Sequence, residues 1–318
     1  MPRVRLGRFP TPVQRMEALA PNLWFKREDL AAEPLGGNKV RALEFLLGGV
    51  QPGDVVATVG AEGSTHVLAT AVYSRLLGAR SRVFRWPQEM NDAARRVAER
   101  IAFDADESPV SHSVIAAYAR ATIARLCGAR WIAAGGSAPI GILGQVNAAL
   151  ELADQLDAGT MPRPDRLVLP LGTGGTMAGL ALGFAIAQLK IEVVGVRVVP
   201  PLVANRAHVR RLIARTSHLI QRAAHEPVPM PGDRAIRIVH DFYGGAYGRV
   251  TAAGDEIARR CAESSGITID PTYGAKALAA AVALARHAGG TTLFWLSFDA
   301  WWMRRDHAEG TPDVVALG

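Results

Sequence analysis

Three short apolar runs, at residues 167–171, 193–199 and 292–296, each closed by a turn, constrain this chain more than any other feature. They are too short for typical helices and lack the alternation of a half-exposed strand. They therefore read as strands buried on both faces of a parallel sheet. Parallel strands need crossovers, and helical segments stand between strands at 40–47, 67–77, 92–101, 113–126 and 143–156. In the last of these, Val146, Ala149, Leu150 and Ala153 share one face. Further short strands are expected at 23–26, 54–59 and 82–85. The alternation predicts an α/β fold of mainly parallel twisted sheets flanked by helices. The stretch 158–165, with Gly159, Pro162 and Pro164, is the natural internal boundary. Two α/β layers with a site between them follow from it.

The 318 residues are 49% apolar and 20% charged, which supplies a sizeable core and excludes disorder. Cys127 and Cys261 are the only cysteines, so neither a disulfide scaffold nor a cysteine-built zinc site is expected; no metal centre is predicted. The basic segment 1–10 lacks the apolar core of a secretory leader, and the apolar stretches 180–189 and 277–285 fall short of a membrane span. A cytoplasmic protein with no membrane contact is the expectation. The net charge of +7 is almost all arginine, because Lys26, Lys39, Lys190 and Lys276 are the only lysines. The arginines occur as scattered pairs (Arg95-Arg96, Arg210-Arg211, Arg259-Arg260, Arg304-Arg305), usually beside acids, with no basic tail or aromatic-interleaved basic strip. Solvated faces account for them, and no nucleic-acid partner is expected. A small anionic substrate would also welcome the charge.

The sharpest motif is Gly36-Gly37-Asn38-Lys39 at the start of a helix. Asn38 is a good N-cap, which leaves Lys39 in a first turn whose positive partial charge disfavours an ammonium. A neutral amine is what forms a Schiff base, although a solvated surface lysine fits the spacing as well. Lys276, beside another helix start, is the next candidate. A second motif, Gly172-Thr173-Gly174-Gly175-Thr176, joins the strand 167–171 to the helix 177–189. Its backbone N–H groups and the helix N-terminus suit a phosphate, with Thr173 and Thr176 as added donors. Met177 replaces the third glycine of a dinucleotide fingerprint, and no Lys-Ser/Thr pair makes a P-loop. A third loop runs from Gly60 to His66. There Ser64 and Thr65 either cap the next helix or cradle a substrate carboxylate, and His66 has no sequence partner for a triad. Asp270 followed by Pro271 reads as an N-cap and first helical residue, projecting Tyr273 from the helix mouth as a candidate acid or base. Ser297 and Asp299 follow the strand 292–296, where open α/β sheets bind ligands.

A lysine nucleophile, a separate phosphate cradle and no metal ligands together suggest pyridoxal phosphate. The chain resembles the D-cysteine desulfhydrase / 1-aminocyclopropane-1-carboxylate deaminase family, of the tryptophan-synthase-β-like (type II) pyridoxal-phosphate fold. The likeness covers nearly the whole length. It is densest at 23–30 with Gly36 to Arg41, at 60–66, at 135–141, and at 172–179 with 270–276. The resemblance implies that Lys39 is the Schiff-base lysine beside Asn38. It likewise implies that Gly172, Thr173, Gly174, Gly175 and Thr176 hold the cofactor phosphate. Ser64 and Tyr273 take catalytic roles; Ser64, Thr65 and His66 face the substrate, and Ser297 meets the pyridine nitrogen. It further implies a large cofactor-binding domain from 1–47 and 154–318, a small inserted domain over 48–153, and a homodimer. The expected reaction is α,β-elimination on a small amino acid. A β-replacement synthase, a racemase or an inactive cofactor-binding homologue are the alternatives. The chain departs from the family's pattern at three places. Thr65 replaces an asparagine that bonds the cofactor's phenolic oxygen, Gly274 replaces the deaminases' glutamate, and Leu296-Ser297-Phe298-Asp299 replaces a His-Thr-Gly-Gly strand end.

Overall fold

The computed structural model describes residues 1–304; Arg305, the second member of one arginine pair, lies outside them. Nine strands form two sheets among the described residues. The larger contains β1 (Val13–Arg15), β2 (Leu23–Arg27), β6 (Arg166–Leu171), β7 (Glu192–Arg197), β8 (Ile236–Val239) and β9 (Thr292–Leu296). Their order is β1-β2-β9-β6-β7-β8, with only the β1–β2 pair antiparallel. The smaller sheet is parallel, with β3 (Val55–Ala61) between β4 (Arg80–Trp86) and β5 (Arg130–Ile132). The apolar run of β9 is buried at every residue, because helices cover both faces of the large sheet.

Helices α1 (Lys39–Leu46), α2 (Thr65–Leu76), α3 (Asp92–Asp104), α4 (Val114–Leu126), α5 (Pro139–Asp157) and α6 (Gly175–Ile186) coincide with expected helices, with shifted ends. Three more, α7 (Arg206–Ala224), α8 (Ala252–Ser265) and α9 (Gly274–His287), complete the chain's helices among the described residues. Polar side chains start several of them. Asn91 Oδ1 accepts from Ala94 N at 2.8 Å at the head of α3, and Asn205 Oδ1 accepts from His208 N at 2.9 Å at the head of α7.

Helix α5 spans the expected 153/154 boundary and buries Ile142, Val146, Ala149 and Leu152 in the core of the large sheet. A stripe of glycines on α6 brings it hard against α5. A Cβ on Gly179 would stand 2.4 Å from Gln145 Cβ, and one on Gly183 would stand 2.5 Å from Ala149 Cβ. That close approach sets the mouth of α6 beside the mouth of α1.

The charges at the end of β2 do not face solvent. Lys26 and Glu28 are fully buried. Glu28 takes Arg41 Nε at 2.6 Å and Nη2 at 2.8 Å, while Glu151 takes Arg41 Nη1 at 2.9 Å and Lys26 Nζ at 2.5 Å. The Phe9 ring lies 4.0 Å from the Arg41 guanidinium. Opposite charges drawn from α1, β2 and α5 neutralise one another, which lets them leave water together.

Candidate active site

Because the strands from β2 through β8 run parallel, the loops after β2, β6, β8 and β9 leave the large sheet at one edge. The first of them carries Gly36 to Lys39. Gly37 adopts φ +124°, and its Cα passes so close to β9's end that a Cβ would lie 2.8 Å from the Ser297 carbonyl oxygen. Asn38 does not cap α1 as expected. It is itself in helical conformation with no side-chain capping bond. Its amide serves instead as a hub: its N–H donates to Ser297 O at 3.0 Å, its carbonyl accepts from Gln145 Nε2 at 2.7 Å, and its Nδ2 donates to Thr176 Oγ1 at 2.8 Å. One residue thus ties α1 to β9, α5 and α6.

Lys39 is the first residue of α1 and only partly accessible. Its Nζ donates to the Gly135 carbonyl at 3.2 Å. Lost hydration lowers its pKa from 10.5 to about 8, so burial, rather than the helix dipole invoked from sequence, is the physical cause. Lys39, Gly135, Gly136, Gly175 and Thr176 line a single cavity. The amine and the phosphate-suited helix mouth are therefore neighbours in space, although far apart in sequence.

Within the glycine loop, Gly174 takes a left-handed φ of +85°. A Cβ there would meet Val209 Cγ2 on α7 at 3.2 Å, and the left-handed backbone is what requires glycine. Gly172 is the open position: a Cβ built on it meets nothing within 4 Å. The first-turn N–H groups of α6 add unpaired donors beside that opening. Thr173 Oγ1 is 2.6 Å from Ser137 Oγ, and its carbonyl accepts from His208 Nε2 at 3.2 Å. Gly175 packs over Ser137, where a Cβ would lie 2.6 Å from the hydroxyl.

In the loop after β3, Ser64 Oγ accepts from Val67 N at 3.4 Å at the head of α2, as a cap does. Thr65 is the first residue of that helix. His66 is buried, with Nε2 2.9 Å from Thr58 Oγ1. Thr58 Oγ1 also lies 2.9 Å from the Ile132 carbonyl oxygen. Burial, then the Lys39 charge, pushes His66 down to about 3, so the ring is neutral.

Tyr273 belongs to a second group. Asp270 was expected to be the N-cap of α9, but the helix begins four residues later. The Asp270 carboxylate accepts from Tyr273 N at 2.7 Å and Gly274 N at 2.8 Å across an intervening turn. The Tyr273 hydroxyl meets that of Tyr247, with ring centroids 5.8 Å apart and planes at 68°. Burial raises both phenols, Tyr247 to about 12 and Tyr273 well above its ordinary 10. Both therefore stay protonated at neutral pH. No hydrogen bond among the described residues joins this pair to Lys39.

Several residues of the site escaped sequence reasoning. Gln145 is a lone polar side chain on the buried face of α5, and its Oε1 has no hydrogen-bond partner among the described residues; polarity on an apolar helix face was the signal. Tyr247 lies between Gly245 and Gly248, a segment without periodicity. Nothing local marks its contact with Tyr273.

A model of the pyridoxal-phosphate dependent enzymes matches residues 4–297. The chain belongs to that family. Its residues fit the family's cofactor: an amine with lowered pKa shares one cavity with the mouth of α6, and Gly172, three residues before that helix, leaves open space where a Cβ would stand. Among relatives of this pyridoxal-phosphate dependent enzyme is the nocardicin C-9' epimerase of Nocardia uniformis subsp. tsuyamanensis. It is 33% identical over 318 residues, covering 93% of this chain and 92% of that protein. The D-cysteine desulfhydrase of Salmonella paratyphi A is 28% identical over 295 residues, 87% of each. A crystal structure of an ACC deaminase homologue superposes with a TM-score of 0.79 at 29% identity, covering 94% of this chain and 92% of that one. The enzyme is thus of the ACC deaminase and D-cysteine desulfhydrase type.

Proposed function

We propose that this enzyme carries out α,β-elimination on a small amino acid, yielding an oxo acid and ammonia. The observation that carries the proposal is the Lys39 amine, held at a pKa of about 8 in the cavity it shares with the mouth of α6. Bound pyridoxal phosphate supplies an electron sink for the carbanion at the substrate α-carbon. The chain's own residues do the rest. Lys39 would bond to the cofactor and carry the α-proton. Gly172 to Thr176 and the first turn of α6 hold its phosphate, and Asn38 keeps Lys39 and Thr176 in register. Ser64, Thr65 and His66 stand on the substrate side, and the Tyr273 phenol holds a proton for the departing group.

In this proposal the Ser297 hydroxyl would meet the pyridine nitrogen. Its carbonyl already accepts the Asn38 N–H beside Lys39, whereas the charge of Asp299 acts on the Tyr73 phenol. The large domain is assigned to 1–47 and 154–318 and the small one to 48–153, on the support of the separate sheets. Exposed Ile115, Ile123 and Leu126 on α4 support a homodimer, and free Cys127 and Cys261 support a reducing, cytoplasmic setting.

Desulfhydrase-like elimination is favoured over opening a cyclopropane ring. A Cβ at Gly274 would lie 2.6 Å from Asp270 Oδ2, so the glutamate that the deaminase branch places there has no room. Epimerisation is the second reading, supported by the 33% identical epimerase and by two candidate proton carriers, Lys39 and Tyr273.

A panel of D- and L-amino acids, followed by cofactor absorbance, ammonia, oxo acid and loss of optical rotation, separates the two. Borohydride should trap the cofactor on Lys39, and Lys39→Ala should bind it without trapping. A reduced adduct on Lys276 would overturn the assignment.

A further inference from the structure

One buried cation has no part in the site so far. Lys276, in the first turn of α9, is fully buried. Its Nζ donates to the Tyr243 carbonyl at 2.7 Å and lies 5.6 Å from the centre of the Tyr243 ring. No carboxylate among the described residues forms an ion pair with it. Burying an ammonium on so few partners is costly, and a methionine would fill the same space without that cost.

What the ammonium holds is the segment between β8 and α8. Gly244, Gly245 and Gly248 are left-handed there, at φ 74°, 86° and 86°. Between Gly244 and Val250 no backbone-to-backbone hydrogen bond fixes the chain among the described residues. Two side chains do so instead. Lys276 holds the near end, and Asn91 Nδ2 donates to Gly248 O at 2.8 Å at the far end. Tyr247 stands between these anchors. Lys276 follows Tyr273 by three residues on the same stretch of chain, so the anchor and Tyr273 move as one rigid piece.

We propose that Lys276 is a positioning residue: by clamping the Tyr243 carbonyl it holds the Tyr247 phenol against that of Tyr273. The proposal rests on the reading of Tyr273 as a proton carrier. A loose segment would let the phenol pair part, and misplacement by an ångström costs up to about a hundredfold in rate.

The test compares the full chain with Lys276→Met, which keeps the shape and loses the donor, and with Lys276→Gln, which keeps a donor. Hydrogen exchange of the amides of 244–247 should rise about tenfold or more in Lys276→Met, with α5 and α6 unchanged. Turnover should fall about ten- to a hundredfold in kcat, with borohydride trapping on Lys39 intact and KM little moved. Lys276→Gln should recover part of both. Unchanged exchange at 244–247 in Lys276→Met would overturn the proposal, as would full turnover with the segment loosened. Should Lys276→Met not fold, Lys276→Gln decides: faster exchange and lower kcat than wild type support the clamp, and wild-type values of both sink it. A wild-type protein that turns over no amino acid would remove the proposed function, while the exchange comparison would still decide whether Lys276 clamps the segment.

Discussion

At Lys39 the decisive quantity is how much water the amine has lost. Its pKa of about 8 lies below the ordinary 10.5, so the neutral, nucleophilic form grows in as pH rises through about 8. Imine formation by the cofactor-free protein, followed by absorbance, should therefore have its midpoint near that pH. A midpoint near 10.5 would show a fully hydrated amine. The linkage has the same sign in stability. Between about 8 and 10.5 the unfolded chain binds the proton that the folded chain has released, so this lysine adds stability as pH climbs across that window. Lys276 shares the shift to about 8, so the Lys39→Ala protein is the control for both experiments. The glycines offer a sharper contrast. Gly172→Val adds a side chain where nothing stands within 4 Å, so the thermal midpoint should hold while cofactor affinity falls steeply. Gly174→Val should cost stability instead, by about 1–3 kcal/mol, because its left-handed backbone resists a side chain. Calorimetry and cofactor titration on the two variants separate these effects. Equal losses of affinity at equal stability would show that the cradle lies elsewhere.

At the scale of elements, α1 is held by charge as much as by apolar packing. Arg41 is two residues beyond Lys39, and Glu28, just past β2, and Glu151 on α5 grip it. Removing one carboxylate leaves a buried guanidinium short of its partner, at a typical cost of about 3–5 kcal/mol. Glu28→Gln should thus lower stability by an amount of that order in denaturant titration. Replacing Glu17, exposed and paired with Arg15 at 3.2 Å, should cost less than about 1 kcal/mol. A Glu28→Gln loss as small as that of the Glu17 pair would mean that α1 is fixed by packing alone. The α5–α6 contact works by a different route. Gly179 and Gly183 permit the backbone approach that seats Gly175 over Ser137, so packing there decides where the phosphate-suited mouth of α6 points.

For the whole molecule, the site is an edge property of parallel sheets. Strands β2, β6, β8 and β9 deliver Lys39, the glycine loop, Tyr247 and Ser297 to one side, although more than 250 residues of sequence separate the first from the last. A ligand gripped by several such loops stabilises them together. At a free concentration one hundred times its dissociation constant, pyridoxal phosphate should add about 2.7 kcal/mol to folding, visible as a rise in thermal midpoint. Lys39→Ala should show a smaller rise at the same concentration. Equal rises would place the binding energy wholly in the phosphate contacts.

The sequence by itself determined the local grammar of this protein. Short apolar runs with turns after them specified β6 and β9. Amphipathic spacing specified α3, α4 and α5, and the glycine-rich turns marked both loops that meet in the cavity. Periodicity and turn chemistry are short-range, so they are legible wherever the chain's own neighbours decide the conformation. Three things were decided only by tertiary structure. Asn38 bonds to Ser297, Gln145 and Thr176 rather than capping its helix, because those partners come from β9, α5 and α6. The charges at the end of β2 turned inward, because Arg41 and Glu151 arrive from elsewhere to neutralise them. The glycine at 174 directs its missing side chain at α7, because the packing of a distant helix sets what lies on that side of the turn. A contact between residues a hundred positions apart leaves no trace in either one's neighbourhood. Only the closed fold creates the low-dielectric surroundings that shift a lysine or a phenol.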